Sequence, residues 1–181
     1  MKKSKILTPQ KLISDIFIAK LKTDNFKEVT ISEIVADANL SRSTFYRYFK
    51  NKHSVIEFFI VELLNDYLST VAKKEITNFS DILIVYFEFL KENINHLELL
   101  KKHNFLSLML EIERKKFLEI LPQSNFPWHH NSDENELVLN LILIGGLWNI
   151  SLYLLDTNQK IKPSQLASII IESLSGNKKF I

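Results

Sequence analysis

The run SRSTFYRYFKNK, residues 41–52, places two arginines, three small hydroxyl residues and four aromatics in twelve positions. Arginine carries a planar fork of donors that matches a guanine edge or a phosphate, and Ser, Thr and Tyr hydroxyls bond base edges or phosphate oxygens. The chemistry on offer is recognition of a polyanion. Charge along the chain agrees: residues 1–55 hold nine Lys and two Arg against five Asp or Glu, a net +6, while residues 56–181 hold 12 basic and 16 acidic groups, a net −4. A basic head on an acidic body favours a polyanionic partner for the head alone.

Presenting those side chains requires a helix with one buried edge. At 3.6 residues per turn, Phe45 and Phe49 fall within about 40° of each other and can anchor such a helix. Ser43 and Arg47 then project from the opposite side, with Thr44 and Tyr48 on one flank and Arg42 and Tyr46 on the other. Upstream, Thr30-Ile31-Ser32-Glu33 fits a capping box, in which hydroxyl and carboxylate satisfy exposed amides reciprocally. It opens a helix of only about two turns, with Ile31, Ile34, Val35 and Ala38 as its apolar face. Between the two helices, Asn39 suits a left-handed C-cap, Leu40 can tuck into the core and Ser41 can cap the second helix. This is the layout of a helix-turn-helix whose second helix enters the DNA major groove. Lys52, at the positive N-terminal end of the next helix, is expected to hold a further phosphate.

The segment TISEIVADANLSRSTFYRYFKNKHSVI resembles the DNA-binding segment of TetR-type bacterial transcriptional regulators, with matching positions Thr30, Ile34, Ala38, Ser41, Thr44, Tyr46, Phe49 and Lys52. Asn39 stands where that family usually has Gly, Tyr48 replaces a commoner His, and His53 sits where an acidic residue is frequent. None of these removes an expected DNA contact, and His53 adds a group that could hold phosphate more tightly at low pH. The resemblance implies a helix-turn-helix domain over residues 1–52 and a helical effector-binding and dimerisation domain over 53–181. With the residue pattern it assigns DNA contacts to Thr30, Ser41, Arg42, Ser43, Thr44, Tyr46, Arg47, Tyr48 and Lys52. A homodimeric repressor is implied, released from a pseudo-palindromic double-stranded operator by a small molecule. The alternative is an activator, or a constitutive DNA-binding protein that recruits a protein partner.

Composition points the same way. Hydrophobic residues make up 46% of the 181, with only 3 Gly and 4 Pro, so turn formers are scarce and long helices favoured, an all-α chain. Hydrophobic spacing and caps predict about nine helices. The first spans 9–22, behind Thr8-Pro9, and a long helix over 51–72 links head to body. Ser80-Asp81 opens the next. After an interruption at 93–96 come a short piece ending near Lys102 and a longer helix to Leu121, on which Glu111, Glu113, Arg114, Lys115, Lys116 and Glu119 read as a solvated face. LPQSNFPWHHNSDE reads as a loop, with Asp133 capping ENELVLNLILIGGLWNISLYLL. Pro163 starts a last helix to 175, with Leu166, Ile169, Ile170 and Leu174 inward.

Gly145 and Gly146 in mid-helix cost on the order of 1 kcal/mol each against Ala, which close approach of another helix would offset. In TetR-type regulators the last two helices of each chain form a four-helix dimer interface, which assigns Leu143, Gly145, Gly146, Trp148, Leu152, Leu166, Ile169, Ile170 and Leu174 to that face. Tyr86, Phe89, His103, Phe105, Met109, Phe117 and Trp128 are candidates to line a cavity for a small apolar or aromatic effector. His129-His130 lacks the spacing of a metal pair. The absence of cysteine suits a reducing compartment and removes thiolate chemistry, and neither a Gly-rich phosphate loop nor a nucleophile–base pairing is signalled. A non-enzyme without cofactor or metal is expected. The start lacks an apolar leader, and the stretch 134–155 reads as too short and too polar at its ends for a membrane span, so a cytoplasmic protein is expected.

Overall fold

The computed structural model describes residues 8–121, 124, 126, 134–157 and 160–176. Among these the chain is all-helical, with nine helices and no strand. They are α1 (Pro9–Leu21), α2 (Ile31–Asp37), α3 (Arg42–Tyr48), α4 (Lys52–Val71), α5 (Phe79–Glu92), α6 (Ile94–Lys102), α7 (Leu106–Ile120), α8 (Glu134–Thr157) and α9 (Pro163–Gly176).

Two compact units divide the chain. One, the head, runs to Leu63 and also takes in Leu99–Met109; the other, the body, holds Leu64–Glu98 and the residues from Leu110 onward. The expected boundary at residue 52 coincides with the first residue of α4, and the head's unit continues 11 residues along that helix, to Leu63. Helices α4, α6 and α7 each carry residues of both units.

In the head, Thr8 caps α1 by accepting from the Lys11 amide at 3.3 Å, and Pro9 follows it where a missing N–H costs nothing. Ile13, Phe17 and Leu21 of α1, Ile34 and Val35 of α2, Phe45 of α3 and Val55 and Ile56 of α4 are all buried. Side chains at three- and four-residue spacing share a face, so each short helix contributes one apolar stripe to a common core. In the second unit α5 packs along α9, with Leu83 and Phe87 buried on the first and Leu166 and Ala167 on the second.

Three expectations shift. α5 starts at Phe79 rather than at Ser80-Asp81, because Asn78 is the cap: its Oδ1 accepts from the Asp81 amide at 3.1 Å, while Asp81 Oδ2 accepts from the Thr77 and Asn78 amides. The interruption at 93–96 shrinks to Asn93, with α6 beginning at Ile94. On α9, Leu166 is buried, Ile170 is half-buried, and Ile169 and Leu174 are exposed rather than inward, since the face turned to α5 is that of Leu166 and Ala167. Asp133 and the 127–133 part of the predicted loop lie outside the described residues.

Candidate nucleic-acid interface and effector cavity

The turn of the head is built from backbone hydrogen bonds that its residue types permit. Asn39 adopts a φ of 52°, the left-handed conformation Asn tolerates best after Gly. The Leu40 amide then reaches back to the Val35 carbonyl at 2.8 Å and the Asn39 amide to the Ala36 carbonyl at 3.0 Å, closing α2 in a Schellman motif. At the other end of α2, Glu33 Oε2 accepts from the Thr30 amide at 2.7 Å and Thr30 Oγ1 accepts from the Glu33 amide at 3.2 Å. These Thr30 donors, the backbone N–H first, hold the Glu33 carboxyl below its ordinary range.

Ser41 caps α3, its Oγ accepting from the Thr44 amide at 3.1 Å and standing 2.7 Å from Ser43 Oγ and 2.9 Å from Thr44 Oγ1. Phe45 and Phe49 are buried, 5.7 Å apart between ring centres, with Phe49 edge-on to Phe58 of α4. With that edge held, Arg42, Ser43, Tyr46, Arg47 and Tyr48 are exposed and Thr44 is half-buried. Two guanidinium groups, two phenol hydroxyls and a cluster of three small hydroxyls thus gather on a helix of seven residues and its cap. This surface offers donors and acceptors of the kinds that bond base edges and phosphates.

Lys52 departs from its expected place. Its ammonium donates to the carbonyls of Phe26 and Val29 at 2.6 Å each, stands 3.4 Å from that of Lys27, and lies 4.7 Å above the Phe26 ring. An ammonium has three donors, and here three carbonyls face it. Partial burial lowers its pKa. Lys52 therefore ties the α1–α2 connection to the start of α4 instead of reaching outward for a phosphate. His53 is exposed but rests against the rings of Phe26 and Phe105, at 4.7 and 5.9 Å between ring centres.

Residues 21–57 match the model of the family described as bacterial regulatory proteins, tetR family. The chain carries a TetR-family segment over those residues. Within the matched residues lie the end of α1, the capped turn and the whole of α3. A curated relative, the HTH-type dhaKLM operon transcriptional activator DhaS of Lactococcus lactis subsp. lactis (strain IL1403), is 34% identical over 70 residues, a match spanning 36% of each chain. Among solved structures, Lin0861 from Listeria innocua shares the fold with a TM-score of 0.72 at 17% identity, over 91% of this chain and 88% of that one. A dihydroxyacetone kinase operon activator, DhaS, shares it with a TM-score of 0.55 at 19% identity, over 95% and 97%.

Behind the TetR-type head, the residues proposed for an effector separate into two groups. His103, Phe105 and Met109 belong to the head's compact unit. His103 Nε2 is 2.8 Å from the Leu21 carbonyl, Lys102 donates to the Lys22 carbonyl at 3.0 Å, and Phe105 meets Phe26 edge-on at 5.0 Å. His103 and Lys102 thus satisfy carbonyls that the end of α1 leaves without helical partners. A sequence pattern could not find this, because the partners are about 80 residues apart.

The cavity lies in the second unit and has a volume of about 810 Å³. Of the candidate residues, Tyr86 and Phe117 line it, whereas Phe89 is buried in the core without lining it; Trp128 lies outside the described residues, as do His129 and His130. Tyr67 of α4, Phe79 of α5, and Asn140 and Leu147 of α8 also form its walls. Sequence reading misplaces one residue above all. Glu113 of α7 is buried, opens onto the cavity, and its Oε2 has no hydrogen-bond partner among the described residues. Burial pushes its carboxyl up to about 7. The solvated face expected for it with Glu111, Arg114 and Lys115 is therefore corrected: a single acidic residue in a mixed helix carries no periodic signal of burial.

The residues proposed for dimerisation also divide. Trp148 and Leu166 are buried within their own chain and Leu143 lines the cavity; Gly145, Leu152 and Ile170 are half-buried, and Gly146, Ile169 and Leu174 are exposed. A Cβ built on either Gly145 or Gly146 would meet nothing within 4 Å. The close approach expected of α9 does not occur at the glycines. Leu137, Val138, Leu139, Leu141, Ile142 and Tyr153, unassigned from the sequence, are exposed apolar residues of α8. At 24 residues this helix is, by length and composition alone, long and apolar enough to cross a membrane, which corrects the expectation that the stretch is too short; 17% of its apolar window is buried.

Proposed function

We propose that the protein is a homodimeric, sequence-specific transcriptional regulator that works in the cytoplasm on a pseudo-palindromic operator. The observation carrying this reading is α3: a helix anchored by Phe45 and Phe49 that exposes Arg42, Ser43, Tyr46, Arg47 and Tyr48 on a TetR-type head. One helix of seven residues contacts too few bases to specify a site. Two such helices in a C2 dimer, roughly 34 to 36 Å apart, read two half-sites one DNA turn apart. The exposed apolar residues of α8, with Ile169 and Leu174 of α9, supply the surface for the second copy. That role also accounts for an apolar helix so little buried in its own chain.

A small molecule in the cavity changes DNA affinity by favouring one conformation over another. Its volume of about 810 Å³ is within the range of small-molecule sites. Helices α4, α6 and α7, which run through both units, supply continuous segments for the coupling. Release of a repressor is the first reading of the sign. Activation is the second, favoured by the relative from Lactococcus lactis, whose name describes an operon transcriptional activator.

The test is selection of bound fragments from random duplex DNA by the purified protein at fixed, stated salt, since phosphate contacts make affinity salt-dependent. An inverted repeat with half-sites one turn apart is expected. Recovery of no consensus would overturn the operator-reading assignment in favour of non-specific or partner-directed binding. A reporter placed behind the selected repeat then separates repression from activation by the direction of its change.

A further inference from the structure

Glu113 is the least explained residue in the body. A carboxylate taken out of water without a cation or a set of donors is costly, and native structures place such a group where something answers it. Among the described residues Tyr86 interacts with the carboxyl, and Oε2 is left without a hydrogen-bond partner. Ser151 Oγ donates to the Leu147 carbonyl at 2.7 Å and stands 3.2 Å from Tyr86 Oη. The Tyr86 hydroxyl, which also interacts with Glu113, has a single hydrogen and cannot answer both carboxyl oxygens. The ammonium of Lys74, at the cavity wall, is engaged at 2.7 Å by Glu88 of α5. The rest of the lining is mainly aliphatic, with two neutral polar residues, Ser124 and Asn140, and five aromatic rings: Tyr67 of α4, Phe79 and Tyr86 of α5, Phe117 of α7 and Phe126.

The geometry points to an organic cation as the occupant: a molecule with an apolar body that fills the cavity and one protonated amine seated on Glu113. This deepens, and rests on, the reading of the cavity as an effector site. A carboxylate supplies the counter-charge, and electron-rich ring faces attract a cation where water is excluded. Neither an organic anion nor a neutral hydrocarbon answers the unpartnered Oε2. The cation brings its own charge, since the ammonium at the wall among the described residues, that of Lys74, is engaged by Glu88.

The pH behaviour is set by the groups around the site. Tyr67 and Tyr86 stay protonated, their hydroxyls raised by burial, Asn140 is neutral, and Lys74 is paired to Glu88. Glu113 is the group that changes charge near neutrality. An amine that stays protonated throughout should then bind about tenfold tighter at pH about 8 than at about 6, as the carboxyl ionises.

The experiment is calorimetric titration of the full-length chain and of Glu113→Gln with phenylbutylamine, phenylbutanol and phenylbutyrate, at both pH values. Expected is preferential binding of the amine that tightens with pH. It should weaken about tenfold or more in Glu113→Gln, which also loses the pH dependence, while phenylbutanol binds both proteins alike. Equal binding of amine and alcohol by both proteins would overturn the cation assignment yet leave the cavity as a small-molecule site. Preference for phenylbutyrate would overturn it with the opposite sign. Binding of none of the three would overturn both the cation and the effector reading of the cavity. The pH comparison within the natural chain keeps the inference testable even if Glu113→Gln fails to fold.

Discussion

Arg47 and Lys52 are five residues apart and both cationic, yet they answer to different physics. Arg47 is exposed on α3, so Arg47→Ala should weaken specific DNA binding by roughly 1 to 3 kcal/mol and relax preference at one position of the half-site, read by fluorescence anisotropy; unchanged affinity would remove it from the interface. Lys52 is held by backbone carbonyls. Lys52→Met should lower stability by about 1 to 3 kcal/mol by stranding those acceptors, while the dependence of log K on log salt keeps its slope; a slope reduced by about 1 would mean a phosphate contact after all. Glu113 makes a third case, because its folded-state carboxyl titrates at about 7 against an ordinary 4.5. The folded chain keeps a proton that the unfolded chain has lost in between, so this contribution to stability is full below about pH 4.5 and is lost as pH rises through about 7. It is on the order of 3 kcal/mol. Urea unfolding of Glu113→Gln across that window should show a flatter profile than the natural chain, and an identical profile would show that water reaches the carboxyl.

At the scale of elements, the head depends on helix ends more than on helix length. α2 and α3 have seven residues each, too short to be stable alone, so the caps and the single left-handed residue between them hold the geometry. Asn39→Gly should leave thermal stability nearly unchanged, whereas Asn39→Val, which puts a branched side chain at a φ of 52°, should cost about 1 to 2 kcal/mol. Comparable melting temperatures for the two variants would show that the turn relaxes out of that conformation. This turn is legible in the sequence because Asn, Leu and Ser each have a distinct local role within a few residues. The cap of α5 is harder to place, because Asn78 and Ser80 are both competent N-caps; the reciprocal bonds of Asp81 to Thr77 and Asn78 decide between them.

At the scale of the whole molecule, most of the apolar window of α8 is left uncovered by its own chain. In this chain the surroundings of Gly146 are empty within 4 Å of an added Cβ, so a larger side chain there creates no internal clash and gains on the order of 1 kcal/mol of helix propensity over Gly. Gly146→Leu should therefore keep its helical circular dichroism and yet lose dimer mass by light scattering, since overpacking would act only across the interface with a second copy. An undiminished dimer would move that interface away from the glycines. The same logic separates Trp148 and Leu166, buried in their own chain, from Ile169 and Leu174, exposed and available to a partner.

Residue pattern along the chain is enough for the all-α class, the helix-turn-helix, its anchors Phe45 and Phe49, and the outward set from Arg42 to Tyr48. All of these rest on local periodicity and capping, which act over a few residues. The fold alone settles that Lys52 faces inward to carbonyls, that His103 and Phe105 serve the head instead of a cavity, and that Glu113 is buried with its Oε2 unbonded among the described residues. Each depends on segments distant in sequence coming together. α8 shows why: apolar on nearly every face, it carries no periodic signal of which side is covered, so its buried Trp148 and exposed Ile142 could be told apart only by the helices that pack against it.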